Sequence, residues 1–223
     1  MSKKFGFTLA EVLITLGIIG VVAAITIPVL INKFLDTSRI TALKKAYSIL
    51  SQATLSIIAE QGSPDNWGLK DRDAESIDKV YNYYKSYIKV LGECNYVSEC
   101  FNVPVVFLDN SILYSDDESA VSFEQRYFRT VDGIVIAMDI SDGSLFFNNI
   151  GVNIAPLNAT VWFRVDVNGP KKPNKVGYDI FHFVLTNSGL KPAGANNNSL
   201  YCNKNNKGYD CAAKVLSENK ISY

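Results

Sequence analysis

Residues 3–31 read KKFGFTLAEVLITLGIIGVVAAITIPVLI, and they constrain the rest of the chain more than any other segment. Lys3 and Lys4 precede an apolar run in which Glu11 is the single charge, and from Val12 to Ile31 there is none. At ~1.5 Å rise per residue a helix of that length reaches ~30 Å, the thickness of a hydrocarbon core, so it can cross a bilayer once. Two lysines with no acidic residue beside them hold the N-terminus in the cytoplasm, and everything after Lys33 is then exported. An ordinary secretory signal cut near Val22 and Ala24 is the rival reading. Against it, Glu11 would interrupt the apolar core of such a signal, and helical sequence continues well past the cut.

Outward from this segment, 223 residues suffice for one folded domain plus an anchor. Lys plus Arg and Asp plus Glu both total 22, so no global field points to nucleic acid, and no nucleic-acid partner is expected. All four cysteines, Cys94, Cys100, Cys202 and Cys211, fall in the exported part, where an oxidising compartment lets thiols pair. Four cysteines allow three pairings; nearness in sequence favours Cys94 with Cys100 and Cys202 with Cys211 without fixing the connectivity.

The residues Lys3-Lys4-Phe5-Gly6-Phe7-Thr8-Leu9-Ala10-Glu11 resemble the leader junction of type IV prepilins and type II secretion pseudopilins. The resemblance implies cleavage after Gly6 by a prepilin peptidase, methylation of the new amine on Phe7, and Glu11 as the fifth residue of the mature chain. It places Pro28 where many members carry a helix-softening proline. It further implies a structural subunit, major or minor, of a pilus or pseudopilus. Such a subunit sits in a bacterial inner membrane until it joins copies of itself or related subunits in a filament. The expected organisation is a cleaved leader over 1–6, a transmembrane or filament-core helix over 7–31, and an exported head over 32–223. The alternative function is a membrane-tethered extracytoplasmic binding protein that retains a pilin-like anchor.

Physical reasoning reaches the odd residues of this motif independently. A carboxylate inside an apolar helix is expensive in lipid, so Glu11 needs either an interfacial position at its own helix N-terminus or a partner. The amine of Phe7 on a neighbouring subunit is such a partner. Pro28 lacks a backbone donor and is expected to kink or locally melt the preceding turn, or else to end the span with a separate helix following.

Beyond the span, Ile40, Leu43, Tyr47, Leu50, Thr54 and Ile57 recur at spacings of three and four, the stripe of an amphipathic helix that Gly62, Ser63 and Pro64 end. Joined to the anchor it runs from about Phe7 to Gln61. A second helix is expected over Ala74 to Leu91, with Ile77, Val80, Tyr81, Tyr84, Ile88 and Leu91 on one face and Gly92 as its stop. Period two then takes over. Turns at Val131-Asp132-Gly133-Ile134 and Ser141-Asp142-Gly143-Ser144 bracket one strand, with Ile134, Ile136 and Met138 on one face. Val161, Phe163, Val165 and Val167 alternate with Trp162, Arg164 and Asp166, and a last strand is expected over Asp179 to Leu185. The fold class is α+β: a long N-terminal helix, half transmembrane and half amphipathic, packed on an antiparallel head sheet.

Catalytic chemistry is not expected. The one histidine, His182, falls within a strand pattern, and no Gly-x-Ser-x-Gly elbow, zinc-ligand spacing or phosphate loop occurs. No cofactor is required. One polar cluster could hold calcium, which takes oxygen ligands: Asp166, Asn168 and Asp179, with Gly169, Asn174 and Gly177 around them. The competing reading is a turn-rich loop in which Asp, Asn and Gly supply turn conformations. Residues 193–207, rich in Asn, Gly and Lys, read as a loop.

Overall fold

The computed structural model describes residues 6, 8–115, 122–142, 151–152, 159–196 and 200–223. The chain forms two compact units, Met1–Ser38 and Arg39–Tyr223. One 53-residue helix, α1 (Leu9–Gln61), contributes to both. It passes through Pro28 without a break, so neither the melted turn nor the separate second helix is found. The proline removes one donor from a ladder that the flanking turns maintain.

In the first unit the large apolar side chains of α1 stand exposed, from Leu9 to Leu35. The hydroxyls of Thr15, Thr26 and Thr37 donate to the carbonyl oxygens of Val12, Val22 and Lys33, so these polar groups are satisfied within the helix, as lipid demands. Among the described residues this is the one helix long and apolar enough to cross a membrane.

The second unit opens with the amphipathic half of α1. Ile40, Leu43, Leu50, Thr54 and Ile57 are buried as the stripe predicts, and Tyr47 stacks on Phe183 at 5.5 Å between ring centroids. Ala46 and Ala53 are buried beside them, small enough to let the helix approach the sheet closely. Gly62, at φ 77°, closes α1 by donating its N–H to the Ile58 carbonyl oxygen at 2.9 Å.

Helix α2 (Ala74–Lys85) starts on Asp73, whose carboxylate accepts from the Ser76 N–H at 2.9 Å. It stops six residues short of the expected Leu91. Strand β1 (Val90–Cys94) begins where helix was expected, and Leu91 lies 70% exposed on it while Ile88 is buried. The reason is tertiary: Lys89 oxygen accepts from Val131 N–H at 3.1 Å, and Val90 to Cys94 pair antiparallel with the strand at 125–130. A helical spacing over one more turn could not outweigh those ladder bonds.

A short helix, α3 (Val97–Cys100), and a small hairpin, β2 (Val105–Val106) with β3 (Ile112–Tyr114), follow. The main sheet continues with β4 (Gln125–Thr130), β5 (Val135–Ser141), β6 (Thr160–Asp166), β7 (Ile180–Thr186) and β8 (Gly189–Pro192). Its spatial order, β1-β4-β5-β6-β7-β8, has every neighbour antiparallel, which is the expected meander. The β4–β5 turn sits at Val131 to Ile134, with the Gly133 N–H donating to the Thr130 carbonyl oxygen at 3.0 Å. Gly143 and Ser144 of the second expected turn lie outside the described residues. The expected last strand is β7, but β8 follows it through a tight connection at 187–188, a strand too short for alternation to reveal.

Both faces of the sheet are covered. One carries Phe128, Met138, Phe163, Phe181 and Phe183 against α1 and α2, where Thr54 and Tyr84 hydroxyls bond at 2.6 Å. The other carries Tyr127, Val135, Ala137 and Ile180 under Phe101, Val105 and Phe107. The residues expected to alternate with Val161, Phe163 and Val165 on β6, namely Trp162, Arg164 and Asp166, are therefore buried as well. Disulfides join Cys94 to Cys100 and Cys202 to Cys211, Cα atoms 5.8 and 4.8 Å apart, and helix α4 (Cys211–Glu218) closes the chain.

Candidate functional site

Three places carry the functional residues. The first is the N-terminus. Gly6 is exposed; Phe7, Lys3 and Lys4 lie outside the described residues. Glu11 turns back on its own helix: its carboxylate accepts from the Thr8 N–H and hydroxyl, both at 2.8 Å, and the Thr8 hydroxyl accepts from the Glu11 N–H at 3.3 Å. This reciprocal capping box satisfies donors that the helix start would otherwise leave open. Within one chain Glu11 thus has a local role, in the interfacial setting that sequence reasoning set beside intersubunit pairing.

Residues 1–27 match the family model described as the prokaryotic N-terminal methylation motif, which marks type IV pilins and pseudopilins. The chain carries that motif at its N-terminus, ahead of a pilin-like α+β architecture. A search of curated proteins and a search of solved structures each returned no match. The motif implies processing by a prepilin peptidase, and with one apolar N-terminal helix it is the pattern of a membrane-anchored, exported pilin. Pilin-like proteins are typically structural rather than enzymatic.

The second place in the pilin-like head is the cluster singled out for calcium. Asp166, at the end of β6, bends into a turn in which one carboxylate oxygen accepts from the Asn168 N–H at 3.1 Å. Gly169 follows at φ 63°, and a Cβ there would collide with the Gly133 carbonyl oxygen, so only glycine fits. Asp179, just before β7, accepts from the backbone N–H groups of Asn174 at 3.0 Å and Lys175 at 2.5 Å. The Asn168 amide is a further neighbour of Asp179. The sequence pattern therefore brings Asp166, Asn168, Asn174 and Asp179 together, and the turn reading holds for part of their bonding.

Turn bonding leaves a remainder. The second Asp166 oxygen and the side-chain oxygens of Asn168 and Asn174 are buried with no hydrogen-bond partner. Burial, and then the nearby Asp179 charge, push the Asp166 carboxyl up to about 8; burial pushes Asp179 up to about 6 against its backbone donors. Two acidic groups and orphaned amide oxygens are the kind of donors that a hard divalent cation takes. Arg39 adjoins it: its guanidinium lies 4.5 Å from the centre of the Tyr178 ring, and its charge reaches Asp179.

The third place was missed by sequence reasoning. On the outer sheet face Arg164 donates to the hydroxyls of Tyr114 and Tyr127, while its guanidinium packs on Trp162 at 5.0 Å. Burial raises the nearby Asp139 carboxyl to about 6, against a hydrogen bond from Gln125 and the Arg164 charge. His182 pairs across strands with Arg164 and is fully buried, and burial first, then Arg164, hold its pKa well below the usual value. Sequence reasoning gave Arg164 no role; the signal that could have found it is its setting between Phe163 and Val165 in a run apolar on both sides. The Cys202, Asp210 and Cys211 group offers no thiolate, since both sulfurs are in one disulfide.

Proposed function

We propose that this chain is a structural subunit of a type IV pilus or type II secretion pseudopilus, cut between Gly6 and Phe7, methylated on Phe7, and assembled by packing of its N-terminal helix. The observation that supports this is the contrast along α1: large apolar side chains from Leu9 to Leu35 are exposed, while beyond them the stripe Ile40, Leu43, Leu50 and Ile57 is buried in the head. Such a surface needs lipid before assembly and neighbouring helices after it, and bundling requires no catalytic residue. In the bundle the Phe7 amine of another copy draws Glu11 out of its capping box and fixes axial register. Mass spectrometry of the mature N-terminus, with blotting of sheared filaments, tests the reading. A methylated chain beginning at Phe7 and present in the filament fraction is expected; an intact precursor, or processed protein absent from filaments, would overturn it.

The same reading includes a cation. Asp166, Asn168 and Asp179, with Asn174, would hold calcium, which would neutralise two clustered carboxylates and satisfy the orphaned oxygens. The support is those buried, unpartnered oxygens.

A further inference from the structure

Strand β4 ends in a β-turn at each side, and the two turns are unlike. Before the strand, the Gln125 N–H donates to the Ser122 carbonyl oxygen at 3.0 Å, leaving Phe123 and Glu124 at the tip with Phe123 64% exposed. After it, a cavity of about 380 Å³ lies beside Val131 and Asp132, walled by Ala46, Ile49, Tyr87, Ile88, Ile134 and Ile136. Lys89, exposed, also lines it, with no ion pair among the described residues; Asp132 is already paired with Lys45 at 3.1 Å.

We infer that this cavity receives Phe123 from a second copy of the chain, with Glu124 of that copy set against Lys89. Three observations select this occupant. An apolar cavity of ~150 Å³ admits a benzene molecule, so the space is ample for a phenyl ring. The tip carries a negative charge next to its ring, and the cavity carries a positive one beside its apolar wall, so the surfaces complement each other in charge as well as in apolar character. Finally, tip and cavity sit at opposite ends of one strand, eight residues apart, or ~26 Å at the rise of a β-strand. One copy cannot satisfy itself, and each contact leaves a free tip and a free cavity. The contact joins unlike surfaces, so copies can add head to tail, a heterologous arrangement that propagates.

The inference rests on the filament reading only for the setting in which the contact forms, and the test separates the two. The full-length chain is expressed in its assembling host with Glu124→Cys and Lys89→Cys together, and with each alone. Native disulfides are mapped to confirm folding, and sheared filaments are blotted in parallel. Non-reducing gels should show a ladder of multimers for the double variant and none for either single one. Adding Phe123→Ala to the double variant should reduce the ladder roughly tenfold or more, as for loss of a buried aromatic anchor. Equal cross-linking in a single variant would mean a contact other than Glu124 against Lys89, and a double variant that stops at the dimer would mean a reciprocal two-fold pair; either would overturn the inference. Filaments containing the double variant without a ladder would overturn it too, leaving the filament reading intact. A ladder without filaments would support the contact and sink the filament reading, and absence of both would reject both.

Discussion

Raising the pH should weaken the head when calcium is chelated, the reverse of ordinary acid lability. Asp166 has its carboxyl raised from the usual 3.8 to about 8 by burial and by Asp179. For an acid with a raised folded-state pKa, the stabilising contribution is complete below about pH 4 and disappears as the pH climbs through about 8. Asp139 and Asp179, each raised to about 6, act with the same sign but are largely spent by then. The interval from about pH 6.5 to about pH 8.5 therefore isolates Asp166. At about 1.4 kcal/mol per pH unit while the folded state holds the extra proton, the loss over that interval is about 2 kcal/mol. For a chain of this size that corresponds to a fall of about 4–8 °C in Tm. The assay is thermal unfolding of the detergent-solubilised chain with chelator across this range. Asp166→Asn should flatten the slope, and calcium at the upper end should restore the wild-type Tm by binding the folded state alone. A Tm that is level or rising between these pH values, or one unmoved by calcium, would refute the reasoning.

Three other outcomes are expected. Glu11→Ala should leave cleavage and membrane insertion unchanged yet reduce the protein recovered in sheared filaments, measured against processed protein in the membrane. Replacing Cys202 and Cys211 together by Ser should cost about 2–3 kcal/mol, since that bond closes a short loop, and hydrogen exchange should rise around α4 but not along the anchor half of α1. Gly169→Ala should lower the Tm by several degrees, because its Cβ meets the Gly133 carbonyl oxygen and its φ is positive.

The long helix, its amphipathic stripe and the meander were legible because each is a local periodicity: three and four between Ile40 and Ile57, two along β5 to β7. The helix–strand boundary at Lys85 was not, because backbone pairing with β4, distant in sequence, decides it. Of the oxygen-rich cluster between Asp166 and Asp179, the acidic and amide residues were legible as a group. Their buried oxygens were not, since burial of both sheet faces cannot be read from alternation. The same blindness hid Arg164: a charge between apolar neighbours means solvent on a half-exposed sheet and a polar network on a covered one. The Glu11 capping box was present in sequence as Thr8-Leu9-Ala10-Glu11, overshadowed by the more demanding intersubunit role.

The double coverage of the sheet also governs how such a head can diversify. All seven residues of β6 and all seven of β7 are buried, so a change in either strand meets packed neighbours whichever way its side chain points. Those strands are closed to drift. New surface chemistry, such as a grafted tag, has room instead where side chains already stand in solvent, as along the middle of the edge strand β1.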